Sequence, residues 1–380
     1  MAIRKRILPS GETRWLVDYR DAKEKRRAKQ FRRKADADAY AITVGYDLRR
    51  GQHIAPGESP TVTQAGGGWI QRCEQDKLVF STLRQYRQHL RQHIEPELGA
   101  LKLADITTPR VREFLDSMLA KHSRALTRKV LTSLHSIFAN AVQLGNAAHN
   151  PVQGVKLKKT NSEKAEGKKL KMPSKDELRA ILSAVAGRWR PIIVTATFTG
   201  MRASELRGLK WEDVDLKASV IHVCRRVDAW GTFGSPKSEA GEREIPMTPM
   251  VVSTLKEWRL ACPKGEHNPL DLVFPSPAGA PLTHSCVLKD GFGPLQIAAG
   301  ICRYKTIKGE KVAKAKFGLH ALRHAAAALF IEQGMSPKRV QTMLGHTSIK
   351  MTYDLYGYLF RSDDEDRVAM AEIEARLLKS

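Results

Sequence analysis

The apolar positions keep a strand-like spacing only near the start of the chain and a helical one over most of the rest. Trp15-Leu16-Val17-Asp18-Tyr19 reads as a short strand, Asp21-Ala22-Lys23-Glu24 as a polar turn, and residues 25–31 as a second strand rich in base. A helix over about 35–48 is expected to pack on that sheet. Residues 51–60 mix Gly, Pro and Ser and read as a linker. Residues 61–155 then look all-helical. Ser81 or Thr82 caps a helix that turns Leu83, Tyr86, Leu90 and Ile94 inward, while Arg84, Arg87 and Arg91 line another face. Thr108-Pro109 opens the next, with Val111, Phe114, Leu115 and Met118. A further helix carries Val130, Leu134, Ile137, Phe138 and Ala141 and stops at Gly145. Gly66-Gly67-Gly68 is odd inside what should be the first of these helices, because each glycine there costs about 1 kcal/mol relative to alanine.

Residues 156–171 hold seven lysines and almost nothing apolar, a linker able to lie along a phosphate backbone. A second globular region begins at Pro173-Ser174. Its apolar helix over 192–198 turns sharply at Gly200, and a strand covers 220–227. Ser235-Pro236-Lys237-Ser238 lies in a loop, and Arg243-Glu244-Ile245-Pro246-Met247 returns as a strand. Over 319–330, Leu322, Ala325, Ala326 and Leu329 form one helix stripe, and His320, Arg323 and His324 sit at i, i+3 and i+4 on another. After Tyr356, Asp363-Asp364-Glu365-Asp366 opens an acidic first turn, and Val368, Ala369, Ile373, Leu377 and Leu378 give a short amphipathic helix. The expected architecture is multidomain: a small β-rich domain with a helix over 1–56, an all-α domain over 61–155, a basic linker over 156–172, and a mainly α domain with a small β-sheet or hairpin over 173–380.

Charge adds a partner to this outline. The chain carries 64 basic against 40 acidic side chains, a formal net charge of +24, which favours a polyanion and above all nucleic acid. Residues 1–50 alone hold 15 Lys and Arg against seven Asp and Glu, so the small sheet, with Arg26, Arg27, Lys29, Arg32 and Arg33 protruding, suits a DNA groove. Arg84, Arg87 and Arg91 make a second candidate stripe for phosphate contact. No apolar run approaches a membrane span, and the N-terminus lacks a signal-peptide core. Cys73, Cys224, Cys262, Cys286 and Cys302 are too scattered for a CxxC zinc site or a disulfide framework and fit a reducing cytoplasm. GxxxxGK[ST] and HExxH are both absent, so neither ATP nor zinc chemistry has a motif, and no cofactor is expected.

The candidate chemistry is spread over both ends of the second region. Thr199-Gly200-Met201-Arg202-Ala203-Ser204-Glu205-Leu206 places Glu205 three residues after Arg202, where it can orient the guanidinium. Leu319-His320-Ala321-Leu322-Arg323-His324, then Leu344-Gly345-His346, then Thr352-Tyr353-Asp354-Leu355-Tyr356-Gly357 follow. A guanidinium fork donates two parallel hydrogen bonds to a phosphate, so Arg202 and Arg323 can clamp the non-bridging oxygens as charge builds on phosphorus. Tyr353, Tyr356 and Tyr358 all offer a phenol, and a phenol with a pKa near 10 needs help to attack at neutral pH.

Taken together, Arg202, Lys237, His320, Arg323, His346 and Tyr356 resemble the catalytic set of the tyrosine recombinases, the phage-integrase family, in order and in local context: TGMRxSEL, PKS, HxLRH, LGH and TxxxYG. The resemblance covers about 60–380, as a helical core-binding domain and a catalytic domain of the DNA breaking-rejoining fold, and the basic N-terminal piece looks like an arm-site-binding domain. It implies Tyr356 as nucleophile, His320 as acceptor of its proton, His346 as a donor to a non-bridging oxygen, and Lys237 as the acid that protonates the departing 5′ oxygen. His324 is expected to be structural, packing near Arg323. The product would be a 3′-phosphotyrosine, formed without metal or ATP.

The implied role is a site-specific DNA recombinase, the integrase of a temperate phage or integrative element. Its partners would be double-stranded attachment sites, a homotetramer on DNA passing through a Holliday junction, and a host DNA-bending protein and an excisionase. It would work in a prokaryotic cytoplasm, away from membranes. A chromosome or plasmid dimer resolvase, a type IB topoisomerase, and a DNA-binding regulatory or architectural protein remain as alternatives. The C-terminal helix packs either on its own domain or, as in the family, on a neighbouring protomer.

Overall fold

A computed structural model describes residues 1–9, 11–21, 24–49, 59–158, 170–236, 238–307, 309–360 and 363–378. The chain divides into two compact units, Met1–Asn161 and Ser162–Ser380. Among the described residues, no helix is long and apolar enough to cross a membrane.

The first unit opens with an antiparallel meander in the order β1 (Ala2–Ile7), β2 (Thr13–Arg20), β3 (Arg26–Phe31), followed by α1 (Lys34–Arg49). Strand β1 is absent from the reading of the sequence, because Ala2 to Ile7 has only two apolar positions before a run of three cations. Alternation along β2 turns Val17 and Tyr19 inward against Ala37 and Val44 of α1. This sheet binds much of its own charge. Arg26 pairs with Asp18, Arg27 with Asp21 and Arg33 with Asp36, while Lys29 stands 4.6 Å over the Tyr40 ring and Arg32 stays exposed. Only part of the protruding basic face expected from the sequence is therefore unengaged.

Among the described residues, four helices of ten residues or more follow: α2 (Val62–Gln75), α3 (Phe80–His89), α4 (Thr108–Lys121) and α5 (Arg124–Gln143). Thr61 and Gln64 close a capping box at the start of α2. The glycine run inside α2 has a partial explanation: a Cβ on Gly66 would lie 2.5 Å from Leu90 Cδ1, so this helix contact needs a bare backbone, whereas Gly67 and Gly68 face open space. Helix α3 starts one turn earlier than its expected caps, with Val79 at the N-cap and Ser81 and Thr82 inside the first turn. It runs on through a π turn at Leu90–Ile94. Arg84 and Arg91 are exposed, and Arg87 is tied to Glu74. The cap of α4 is Thr107, not Thr108, whose hydroxyl instead donates to the Pro151 carbonyl. Trp69, Leu83, Leu90, Ile94, Phe114, Leu134, Ile137 and Phe138 fill the core between these helices.

The second unit begins with α6 (Lys175–Ala184), capped by Ser174 and Glu177, then α7 (Arg190–Thr199) and the short α8 (Ala203–Arg207). A three-stranded sheet runs in the order β4 (Val214–Asp215), β5 (Val220–Val223), β8 (Arg243–Pro246), and β6 (Arg226–Val227) pairs with β7 (Phe233–Gly234) as a separate ribbon. The single strand expected over 220–227 is thus broken at Cys224-Arg225, where Cys224 and Arg225 both turn to Asp213. Next come α9 (Pro249–Ala261), α10 (Gly293–Ala298), and a two-stranded ribbon of β9 (Cys302–Ile307) and β10 (Glu310–Ala315). The chain ends in α11 (His320–Glu332), α12 (Pro337–Leu344), α13 (Ile349–Tyr356) and α14 (Asp363–Leu378). Helices α7 and α11 cross the core, where Ile192, Ile193, Leu206, Leu322, Ala326 and Leu344 are buried together. On α14, Ile373, Leu377 and Leu378 are exposed, so they do not pack on their own unit; the side chains of the acidic turn, Val368 and Ala369 lie outside the described residues.

Candidate active site

The end of α12 organises the site. A helix leaves its last carbonyls without intrahelical partners. Here three successive ones are taken by three arginines from three other elements. Met343 O accepts from Arg243 Nε at 2.8 Å, Leu344 O from Arg323 Nη2 at 2.6 Å, and Gly345 O from Arg202 Nη2 at 2.7 Å. The negative end of the helix dipole favours that gathering of cations. Gly345 makes the approach possible: it holds a left-handed φ of 64°, and a Cβ there would lie 2.8 Å from Arg243 Nη1.

Glu205 supplies the counter-charge. Its Oε1 accepts from Arg202 Nη1 at 2.7 Å, and its Oε2 accepts from Arg243 Nη2 and from the Arg202 backbone N–H, each at 2.9 Å. The carboxylate is only 2% exposed. Burial alone raises its pKa, but Arg243 and Arg202 overcome that and hold it below the usual carboxylate value. A guanidinium has five N–H donors. Arg243, bonded to Met343 O, Gly241 O and both Glu205 oxygens, has committed most of them to the fold. Arg202 and Arg323 each commit two from the guanidinium, to Glu205 and Gly345 and to Gly200 and Leu344 respectively, and so keep donors for an anion. Burial and the neighbouring Arg202 make Arg323 more acidic than an ordinary guanidinium, yet it remains cationic at neutral pH.

Tyr356 ends α13 and has no exposed surface, whereas Tyr353 and Tyr358 are 51% and 44% exposed. Its Oη lies 2.8 Å from Nδ1 of His324. Burial pushes its pKa up to about 12, against the pull of Arg323. His346 stacks beside the phenol, ring centroids 6.3 Å apart, and its Nδ1 is 2.9 Å from the Thr352 hydroxyl. Burial first, and then Arg323, Arg202 and Arg243, push His346 down to about 3, so it is a neutral imidazole, and its Nε2 has no hydrogen-bond partner among the described residues. His320 sits at the exposed start of α11, its ring edge-on to His324 at 4.8 Å. Partial desolvation of the ring, with His324, Arg323 and Arg202 close by, holds it neutral as well.

Of the six positions singled out in the sequence, Arg202, Arg323, His346 and Tyr356 converge, with His320 at the open edge; Lys237 lies outside the described residues. His324, expected to be structural and to pack near Arg323, stands with its Nδ1 2.8 Å from Tyr356 Oη, one helical turn on from His320. Arg243 was missed. It shares the inward face of β8 with Ile245, and an arginine at an inward apolar position must have a buried partner, which was the available signal.

The comparisons with known proteins cover the region that holds this site. The phage integrase family model matches residues 172–361, and the phage integrase central domain model matches 63–158. A tyrosine recombinase XerC-like protein of Caldanaerobacter subterraneus is 27% identical over 306 residues, spanning 73% of this chain and 74% of that protein. A putative prophage phiRv2 integrase of Mycobacterium tuberculosis is 26% identical over 364 residues, 90% of this chain and 88% of the other. Among solved structures, a Tn1549 transposon integrase in complex with a circular intermediate DNA superposes with a TM-score of 0.64 at 22% identity, covering 83% of this chain and 100% of that one. A lambda integrase tetramer bound to a Holliday junction gives 0.57 at 20% identity, over 90% and 95%. At that identity the structural matches establish the fold.

Proposed function

The chain belongs to the phage integrase family, and from that premise and the site we propose that it is a site-specific DNA recombinase, the integrase of a phage or another mobile element. The observation that carries the reading is Tyr356, bonded to His324 beside two arginines that retain unused donors. The scissile phosphate would bind to Arg202, Arg323 and Nε2 of His346. Tyr356 Oη attacks phosphorus as its proton passes to His324 Nδ1, and Lys237 gives a proton to the departing 5′ oxygen. The P–O bond to the phenol forms as that to the 5′ oxygen breaks, so a 3′-phosphotyrosine keeps the ester energy for resealing. Because Tyr356 is fully buried, contact with phosphate requires α13 to shift when DNA binds.

The same reading assigns residues 1–56 to arm-type sites, 61–155 to the core site, 156–172 to a basic linker and 173–380 to catalysis. Exposed Arg84 and Arg91 would meet phosphate, and exchange would proceed in a homotetramer through a Holliday junction, aided by a DNA-bending host protein and an excisionase. A nicked suicide duplex carrying the core site tests the chemistry. The wild type is expected to trap a covalent adduct in the presence of EDTA, and Tyr356→Phe to bind the duplex equally well and trap none. An adduct from the Phe variant would place the nucleophile elsewhere, and relaxation of supercoils without strand exchange would point to a topoisomerase.

A further inference from the structure

The β9–β10 ribbon is an exposed cationic feature of the second unit that the mechanism leaves unused. Residues 302–316 contain six Lys and Arg and one acidic residue. Arg303, Lys305, Lys311 and Lys314 are all exposed, and among the described residues none of them has an ion-pair partner. Their arrangement works against the free protein. Register places Arg303 directly opposite Lys314, with Lys305 next on the same face, while Lys311, opposite Thr306, lies on the other face of the ribbon. Like charges directly opposite each other destabilise a ribbon. A local rule broken without compensation among the described residues points to a partner outside the chain.

The root of the ribbon is firm. Gln296 of α10, with no exposed surface, donates to the Phe317 and Phe292 carbonyls and accepts from the Phe317 backbone N–H at 2.8 Å. Ile301 and Phe317 are buried on either side of the ribbon. Its second strand leads in five residues to His320, so the root lies within roughly 18 Å of the catalytic helix. Six residues per strand give a projection of about 20 Å, and a two-stranded ribbon is one of the shapes a major groove about 12 Å wide admits.

We propose that the β9–β10 ribbon grips the duplex beside the cut site, with Arg303, Lys305, Lys311 and Lys314 on its phosphates. The proposal rests on the recombinase reading only for where along the DNA the ribbon lands. The contact relieves the Arg303–Lys314 repulsion and contributes affinity rather than chemistry.

The test uses the full chain with Arg303, Lys305, Lys311 and Lys314 all changed to Ala, titrated against a core-site duplex at several salt concentrations. Each phosphate contact contributes about 0.9 to the slope of log K against log salt. The slope is expected to fall by roughly 3 to 4, with Kd at low salt weakened at least about tenfold. Adduct yield on the suicide duplex at saturating protein should stay at the wild-type level. Lys305→Ala and Lys314→Ala singly, each removing about 0.9 from the slope, keep the test valid if the fourfold variant folds poorly. An unchanged slope and Kd overturn the proposal, and so does a variant that loses self-association while its DNA slope stays the same. A wild type that never forms an adduct overturns the recombinase reading instead and leaves the slope comparison standing.

Discussion

Two clusters of positive charge in the C-terminal unit are handled in opposite ways. Around the end of α12, Arg202, Arg243 and Arg323 are buried or half-buried, each fixed by carbonyls or by Glu205. On β9 and β10, Arg303, Lys305, Lys311 and Lys314 stand in solvent with no partner among the described residues. A fixed cation is in place before the substrate arrives and costs no reorganisation in the transition state, so it serves rate. A solvated cation is mobile and screened by salt, so it serves encounter and affinity. The net charge of the chain cannot distinguish the two; the partners of each cation can.

The contrast depends most on Glu205. If the inner arginines are held by a counter-charge, Glu205→Ala leaves the Arg243 side chain, itself 2% exposed, without its carboxylate. The expected cost is about 3–5 kcal/mol in a urea melt at pH 7. The sign with pH follows from the depressed pKa of Glu205. Its contribution is complete above the unfolded value of 4.5 and is lost as pH falls through the lower folded value, so the gap between wild type and variant should narrow in acid. A gap of under about 1 kcal/mol at pH 7 would mean that the carbonyls of α12 suffice.

Arg323→Lys probes the other half of the contrast. The charge stays but the fork to Gly200 O and Leu344 O is lost. Cleavage of the suicide duplex is expected to slow by about 10²–10³, with Kd for DNA little changed. A large loss of affinity with the rate intact would merge the two clusters into one binding surface.

How much of this was legible beforehand depends on the range of the interactions. Helices with a clear apolar period, such as α4 and α5, could be read from spacing, because the stripe that packs is also the stripe that repeats. Strand β1 and the β9–β10 ribbon could not, since cations and small residues interrupt any alternation there. In the site, Arg202, Arg323, His346 and Tyr356 stood out through motif context. Arg243 is held by the Met343 carbonyl, 100 residues away, and His324 meets Tyr356, 32 residues on; neither contact is a local property of the sequence.

A smaller effect separates the histidines from the outer charges. His346 stays neutral in the fold down to about pH 3, while in the unfolded chain it takes up a proton near 6.5. Between those values the unfolded state binds more protons, so stability should fall steadily as pH drops from 6.5 towards 3. His346→Gln is expected to flatten that part of the profile while leaving the Glu205 contribution below pH 4.5 in place. An unaltered profile would mean that His346 is not insulated by burial and the arginines.

The N-terminal sheet offers an intermediate case and the smallest expected change. Arg26 and Arg33 are as exposed as the ribbon's cations, but Asp18 and Asp36 hold them. Exposed pairs of this kind add little to stability and are screened by salt, so changing both arginines to Gln should leave the melting midpoint unmoved. To reach a phosphate, each must first leave its aspartate, and the exposed carboxylate then repels the DNA. The slope of log K against log salt should therefore fall less for the Arg26→Gln, Arg33→Gln pair than for Lys305→Gln with Lys314→Gln on the same duplex. An equal or larger fall would show that surface pairing does not decide which cations meet DNA, and the contrast would then come down to burial alone.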